Sequence, residues 1–339
     1  MRDAVRNEVA KVAVVAGVLA IAPIPIIGNS YYEGILIRLL LVAVLAVGLN
    51  LVFGHTDQLF LFMGGLAGLG AYGTALIADW TGVTAWATLV VAALIPAFLG
   101  LAVSWVSAKR RFTVVLISIL TLNLQLVLSQ TFVGAREITG GSTGFSYRSY
   151  FSLSTVAEPV GVPEKIILYY VALLVLVMAM LVYIYLTTSR YGIAFDAIRE
   201  DEVAAASIGV DVVYYKSLAG FIGAFMIGFT GPFMAREASY MLPGEFSFLS
   251  VDVLVLIVLI IGGLRTTLGP VVGSAIVMGI EEVLAAQAAE WRTAIFGALL
   301  IFLFLYFRQG VVNAAHGLVR DARARVGYDD GRAADESRT

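Results

Sequence analysis

Apolar residues run along this chain in blocks of about twenty, the length an α-helix needs to cross a bilayer. Short polar or glycine-rich punctuation separates them. The blocks stand at 9–27, 35–54, 59–78, 85–107, 112–132, 166–187, 216–235, 250–262, 270–287 and 292–307. The pattern predicts an all-α polytopic integral membrane protein with about ten transmembrane helices. Gly262-Gly263 and Gly269-Pro270 interrupt the blocks at 250–262 and 270–287. A short or re-entrant pair is the alternative there, because broken backbone is tolerated at depth only inside protein.

Two stretches leave the apolar rhythm. Residues 133–165 carry turn chemistry at Thr139-Gly140-Gly141-Ser142-Thr143-Gly144, with Pro159 and Pro163 behind it, and read as a loop. Residues 188–215 turn abruptly charged at Arg199-Glu200-Asp201-Glu202, then small at Ala204-Ala205-Ala206-Ser207, and reach Gly209. The stretch 320–339 is charged and rich in Gly and Ala, and is expected to be a flexible tail behind a membrane domain spanning 1–319.

Charge supplies the orientation. With the N-terminus in the cytoplasm, about 16 of the 22 basic residues fall inside, among them Arg2, Arg6, Lys11, Lys109, Arg110 and Arg111. Loop 133–165 then faces outward, and 188–215 and the tail face the cytoplasm. Ala20-Ile21-Ala22 resembles a signal-peptide cleavage site, but Pro23 follows it and the apolar run continues to Ile27, so an uncleaved first span is expected.

Composition narrows the chemistry. The chain is 60% apolar and 14% charged, with mean hydropathy +0.92, where soluble domains carry about 25% charge. It has no cysteine and two histidines, His55 and His316, far apart in sequence, so neither a disulfide framework nor a His/Cys metal site is expected. Net charge of −2 with no basic, aromatic-interleaved patch gives no reason to invoke nucleic acid. The P-loop needs Gly-Lys-Ser/Thr, and none of Lys11, Lys109, Lys165 and Lys216 follows a glycine, so any ATPase belongs to another chain. Gly68-x-Gly70-x-x-Gly73 fits the dinucleotide fingerprint in letters only, because it lies inside an apolar helix. No catalytic residue and no cofactor is assigned to this chain.

The 188–215 stretch resembles the cytoplasmic loop by which permeases of ATP-driven (ABC) importers dock on their ATPase. From Ala197 to Lys216 it reads AIREDE-x-AA-x-x-x-G-x-x-x-x-x-x-K, similar to the branched-chain amino acid permeases. The plain alternative is a solvated helix between two spans. The likeness runs collinearly from about residue 34 to 313. It includes Gly48-Leu49-Asn50-Leu51 with Gly54, Gln58 to Tyr72, Ile138 to Gly144, Glu245-Phe246-Ser247-Phe248 with Ser250, and Ile261-Gly262-Gly263-Leu264 with Leu268-Gly269-Pro270. The extended outer loop is nearer the family's LivM-type subunit than its LivH-type partner. The chain departs from the family pattern at Phe60–Leu66, at Phe112–Leu120, and at Arg265, which stands where the turn normally has glycine.

The resemblance implies a permease for branched-chain amino acids or similar small amino acids and amides. It implies a second permease subunit, two cytoplasmic ATP-binding subunits and an extracytoplasmic solute-binding protein as partners, all at the plasma (inner) membrane. Arg199, Glu200, Asp201, Glu202, Ala205, Ala206 and Gly209 are then the coupling residues, with Ala205 and Ala206 expected on the docking face and Arg199 and Glu202 at its rim. The translocation pathway is expected beside Gln58, Phe62, Met63, Gly64, Gly65, Gly68, Gly262, Gly263, Thr266 and Thr267, since an amino acid passing the backbone needs room and neutral polar groups. Packing of helices through these glycines is the bland alternative. A secondary transporter would show ionisable groups near span centres, which the blocks largely lack. A non-transporting scaffold or receptor subunit would use the charged loop only to recruit a partner.

Overall fold

The computed structural model of the chain describes residues 2–147, 161–287 and 297–298. Twelve helices follow one another in these residues: α1 (Arg2–Ile21), α2 (Ser30–Leu49), α3 (Met63–Thr81), α4 (Ala85–Lys109), α5 (Val114–Gly134), α6 (Arg136–Thr139), α7 (Glu164–Thr188), α8 (Arg190–Glu200), α9 (Glu202–Ser207), α10 (Val212–Ala238), α11 (Leu254–Gly262) and α12 (Gly269–Gln287). Two short strands, β1 (Phe145–Ser146) and β2 (Tyr240–Met241), pair antiparallel, Phe145 opposite Met241. Among the described residues six helical segments are long and apolar enough to cross a membrane: Val5–Ile26, Ser30–Gly54, Ala85–Lys109, Val114–Gly134, Glu164–Thr188 and Val212–Ala238. The chain is therefore an all-helical, multi-pass membrane protein. The expected block at 292–307 and the expected tail at 320–339 lie almost wholly outside the described residues, as do 148–160 of the loop.

Helix starts follow local chemistry. Asn29, Thr113, Ser189, Asp201 and Asp211 each accept a hydrogen bond from a backbone amide of the first turn they precede. Gly82 ends α3 in the left-handed conformation, φ 66°.

Helix α2 is the hub. From Leu39 onward it is apolar all round, as a helix enclosed by others must be, and it packs on α7, α10, α11 and α12. On its α10 side lies the tightest seam, which continues from α10 to α4 and α3. A Cβ at Gly70 would overlap the Gly228 carbonyl oxygen, and one at Gly228 would overlap the ring of Pro96. Small residues replace hydrophobic driving force here, because lipid is as apolar as any side chain and helices gain by close contact instead.

The block expected as a helix over 59–78 begins helical structure only at Met63, with 57–62 non-helical. That break leaves the first amides of α3 without intrahelical partners. The segment 250–262 supplies one: its start is a wide π-turn, Phe248–Val253, which carries Asp252. The Asp252 carboxylate is fully buried and accepts from Met63 N at 2.5 Å and Gly64 N at 3.2 Å. Gln125, at the centre of α5, accepts from Gly65 N at 2.6 Å and donates to the Phe246 carbonyl at 2.7 Å. Thr121, one turn earlier, receives Leu61 N at 3.0 Å. Phe248–Gly262 is too short to cross alone, and it begins at this junction.

Replacing Asp252 by alanine strands two buried amides and should cost about 1–3 kcal/mol. Asp252→Asn keeps an acceptor oxygen and should lose less. Thermal midpoints of the detergent-solubilised variants check this, and an unchanged midpoint in Asp252→Ala would remove the capping role.

Candidate functional site

A second junction closes the other broken segments. Helix α2 runs into a π-turn at Asn50–Gly54, and α11 and α12 are separated by the Gly263–Leu268 turn. The Asn50 side chain, fully buried, joins them. Its Oδ1 accepts from Arg265 N at 2.8 Å, and its Nδ2 donates to the Thr266 carbonyl at 3.1 Å and to the Tyr183 hydroxyl at 3.1 Å. His55 Nε2 lies 2.8 Å from the same hydroxyl. One buried polar side chain at each junction, Asn50 at one and Asp252 at the other, sits in a π-turn, which recurs at functional positions.

The residues expected beside a pathway divide between the two junctions. Gln58 is fully buried, and its Nε2 donates to Thr56 Oγ1 at 2.8 Å and the Lys216 carbonyl at 3.1 Å, while its Oε1 meets no donor among the described residues. Phe62 and Met63 are fully buried. Gly64 and Gly65 admit Phe246, Gln125 and Leu128, and Gly68 admits the ring of Phe132. Gly262 packs on Gly269, and Gly263 takes φ 100°. Thr266 Oγ1 donates to the Gly263 carbonyl at 2.8 Å, and Thr267 is half-buried. Thus Gln58–Gly68 gathers α5, α10 and the Phe246–Asp252 segment, whereas Gly262–Thr267 folds on itself and against the end of α2.

The charged segment is built as two helices. Asp201 accepts from Val203 N at 2.8 Å and Ala204 N at 3.0 Å, starting α9. Gly209 follows it at φ 91°, in open space. Ala205 is 2% exposed and faces the protein's own interior, so the expectation that it shares an outward face with Ala206 is corrected. Adjacent positions stand about 100° apart around a helix, so with Ala205 turned to the interior its neighbours Ala204 and Ala206 are left outside. The outward surface instead carries Val203, Ala206, Ser207 and Ile208, with Val203 62% and Ile208 78% exposed. Glu200 and Asp201 are exposed.

Arg199 and Glu202 have partners inside the chain. Arg199 Nε is 3.5 Å from Asp57 Oδ1, and Glu202 pairs with the buried ammonium of Lys216. One turn before Arg199, Asp196 Oδ1 accepts from Arg265 Nη2 at 3.1 Å. Asp57 and Arg265 belong to the two breaks, and both hold left-handed backbone, φ 52° and 64°. One face of α8 therefore grips both.

The comparisons fit this architecture. The profile described as "Branched-chain amino acid transport system / permease component" matches residues 31–304. The chain belongs to that permease family. It is 28% identical over 288 residues to the high-affinity branched-chain amino acid transport system permease protein LivM of Salmonella typhimurium, covering 79% of this chain and 67% of that one. LivM of Escherichia coli is 28% identical over 292 residues, with the same coverages. A probable LivH permease of Methanocaldococcus jannaschii is 25% identical over 257 residues, 74% of this chain and 78% of that one. No solved structure matches. The chain is thus a permease component of a transport system.

Asp252, Gln125, Asn50, Tyr183, Asp57 and Asp196 were not among the expected site residues. The signal for Gln125 and Asn50 was present: a neutral polar side chain inside an apolar block, which needs a partner when buried. Asp57 and Asp196 carried none, because their roles depend on which distant cation they meet.

His55 gives this permease a pH response. Burial, and then the nearby Arg265 guanidinium, lowers its pKa from 6.5 to about 4. The folded protein keeps the imidazole neutral while the unfolded chain takes a proton below 6.5, so stability is intact above 6.5 and falls as pH drops toward 4. The loss reaches on the order of 3 kcal/mol. Subtracting the melting curve of His55→Gln from wild type across this window should isolate it, and parallel curves would refute it.

Proposed function

We propose that this chain is one permease subunit of an ATP-driven importer for branched-chain amino acids or similar small amino acids and amides, at the plasma (inner) membrane. It pairs with a second permease, two cytoplasmic ATP-binding subunits and an extracytoplasmic solute-binding protein, and needs no cofactor of its own. Its membrane domain, 1–319, contains about ten helices with a cytoplasmic N-terminus, loop 133–165 outside, and a flexible cytoplasmic tail at 320–339. The observation that carries the reading is α9: a six-residue helix with exposed Val203, Ala206 and Ile208, closed by left-handed Gly209. Between exposed Val203 and Ile208 the outer face carries only Ala206 and Ser207, so another protein's groove can approach the backbone there while the two apolar side chains give it something to bury. The substrate descends past the start of α3 at Gln58, Phe62, Met63, Gly64, Gly65 and Gly68 toward Gly262, Gly263, Thr266 and Thr267.

A secondary carrier would need a midspan ionisable group able to exchange a proton or ion. Among the described residues Asp252 is a fully buried carboxylate of that kind, and both its oxygens are committed to amides of α3.

Ala206→Trp should abolish uptake of radiolabelled leucine and co-purification of the ATP-binding subunits while leaving the chain inserted. Gly209→Val should act similarly, since a β-branched residue at φ 91° costs roughly 1–3 kcal/mol although the space is open. Wild-type uptake and co-purification in both variants would overturn the docking assignment.

A further inference from the structure

Arg38 lies about two turns inside α2, where a charged side chain is costly and usually tied to function. No hydrogen bond or close ion pair holds it among the described residues, and the anion its charge acts on there is Glu237. It lines a cavity of about 90 Å³ between α2, α10 and the segment Tyr240–Val255. That is several times the roughly 10–15 Å³ needed to hold one water, which leaves room for a small polar molecule. Two carboxylates share the cavity with Arg38: Glu237 at the end of α10 and Glu245. The other nearby guanidinium, Arg236, is committed to Glu164. Glu237 reaches α2 because Gly34, one turn before Arg38, has no side chain, and a Cβ there would stand 3.1 Å from Glu237 Oε1. Beneath these charges the walls are apolar: Leu45 and Leu254 are buried and Met234 partly so.

An exposed cation and two anions above an aliphatic floor complement one class of ligand. A zwitterionic α-amino acid with a branched hydrocarbon side chain presents a carboxylate, an ammonium and an apolar body in the same order. We propose that this cavity is a substrate site of the permease itself. Arg38 holds the carboxylate, Glu237 with Glu245 holds the ammonium, and Leu45, Met234 and Leu254 hold the side chain. Val251, which also lines the cavity, immediately precedes Asp252, so a bound amino acid rests directly beside the start of α3. The proposal rests on the import reading above and adds to it that selection does not end with the solute-binding protein.

The test uses the purified transporter complex, with radiolabelled L-leucine as probe, in the absence of solute-binding protein for binding and in its presence for uptake. Arg38→Gln should weaken leucine binding roughly tenfold to a hundredfold, the loss expected for a charge-assisted bidentate contact, and raise the uptake KM. Arg38→Lys, which keeps the charge, should lose less. Leu45→Trp, which fills the floor without touching a charge, should also weaken binding. Isoamylamine, leucine without its carboxylate, should compete poorly against wild type and equally poorly against Arg38→Gln. Co-purification of the ATP-binding subunits reports whether each variant is assembled. If assembled Arg38→Gln and Leu45→Trp transporters bind and carry leucine like wild type, the cavity is not a substrate site. If wild type itself neither binds nor carries leucine, it is the substrate reading that fails, and the site falls with it.

Discussion

Every helix that stops inside a bilayer must find partners for the amides and carbonyls it frees, because lipid offers none and each unmet group costs several kcal/mol. This chain breaks its helices twice within the described bundle, at 57–62 and at 263–268, and much of its architecture serves those two places. At the first, Asp252 and Gln125 take the opening amides of α3. At the second, a single asparagine satisfies Arg265 N and the Thr266 carbonyl at once. Both solutions reach across long stretches of sequence, so the interrupted segments hold only if α2, α3, α5 and α11 are already assembled. The ends of these helices are therefore conditional on tertiary packing, whereas α4 and α7 satisfy their own backbones.

Close packing makes such reach feasible. Gly70, Gly228 and Gly34 let neighbouring backbone or a carboxylate approach where any side chain would intervene. In a soluble protein an apolar core would draw these helices together. Here contact geometry must do it, and the small residues on α10 let it lie against both α3 and α4.

How far the sequence could be read follows from the range of the interactions. The long apolar blocks of α2, α4, α5, α7 and α10 announced themselves, because twenty apolar residues mean the same thing whatever surrounds them. The interruption at Gly262–Pro270 was also legible, since glycine and proline act locally. The late start of α3 was not: Leu59–Phe62 is apolar, and what denies it helical structure is the partner set waiting beyond Met63. Of the charged segment, the run of small residues closing on Gly209 was readable from spacing, whereas the capping role of Asp201 was not read. The inward turn of Ala205 and the pairs Arg199–Asp57 and Glu202–Lys216 were not, because a residue type says that it carries charge but not which distant charge it meets.

The alternation along α8 has one further consequence. Asp196 and Arg199 are a turn apart and face Arg265 and Asp57 respectively. Were α8 to slip by one turn in one direction, Asp196 would confront Asp57. In the other direction, Arg199 would confront Arg265. Each displaced register thus sets like charges together while the native one pairs opposites, so the four side chains act as a key that fits in a single position. Because the group sums to zero charge, an approaching ionic partner exerts little net pull on it, and the key responds to movement of the helix more than to the charge of whatever moves it.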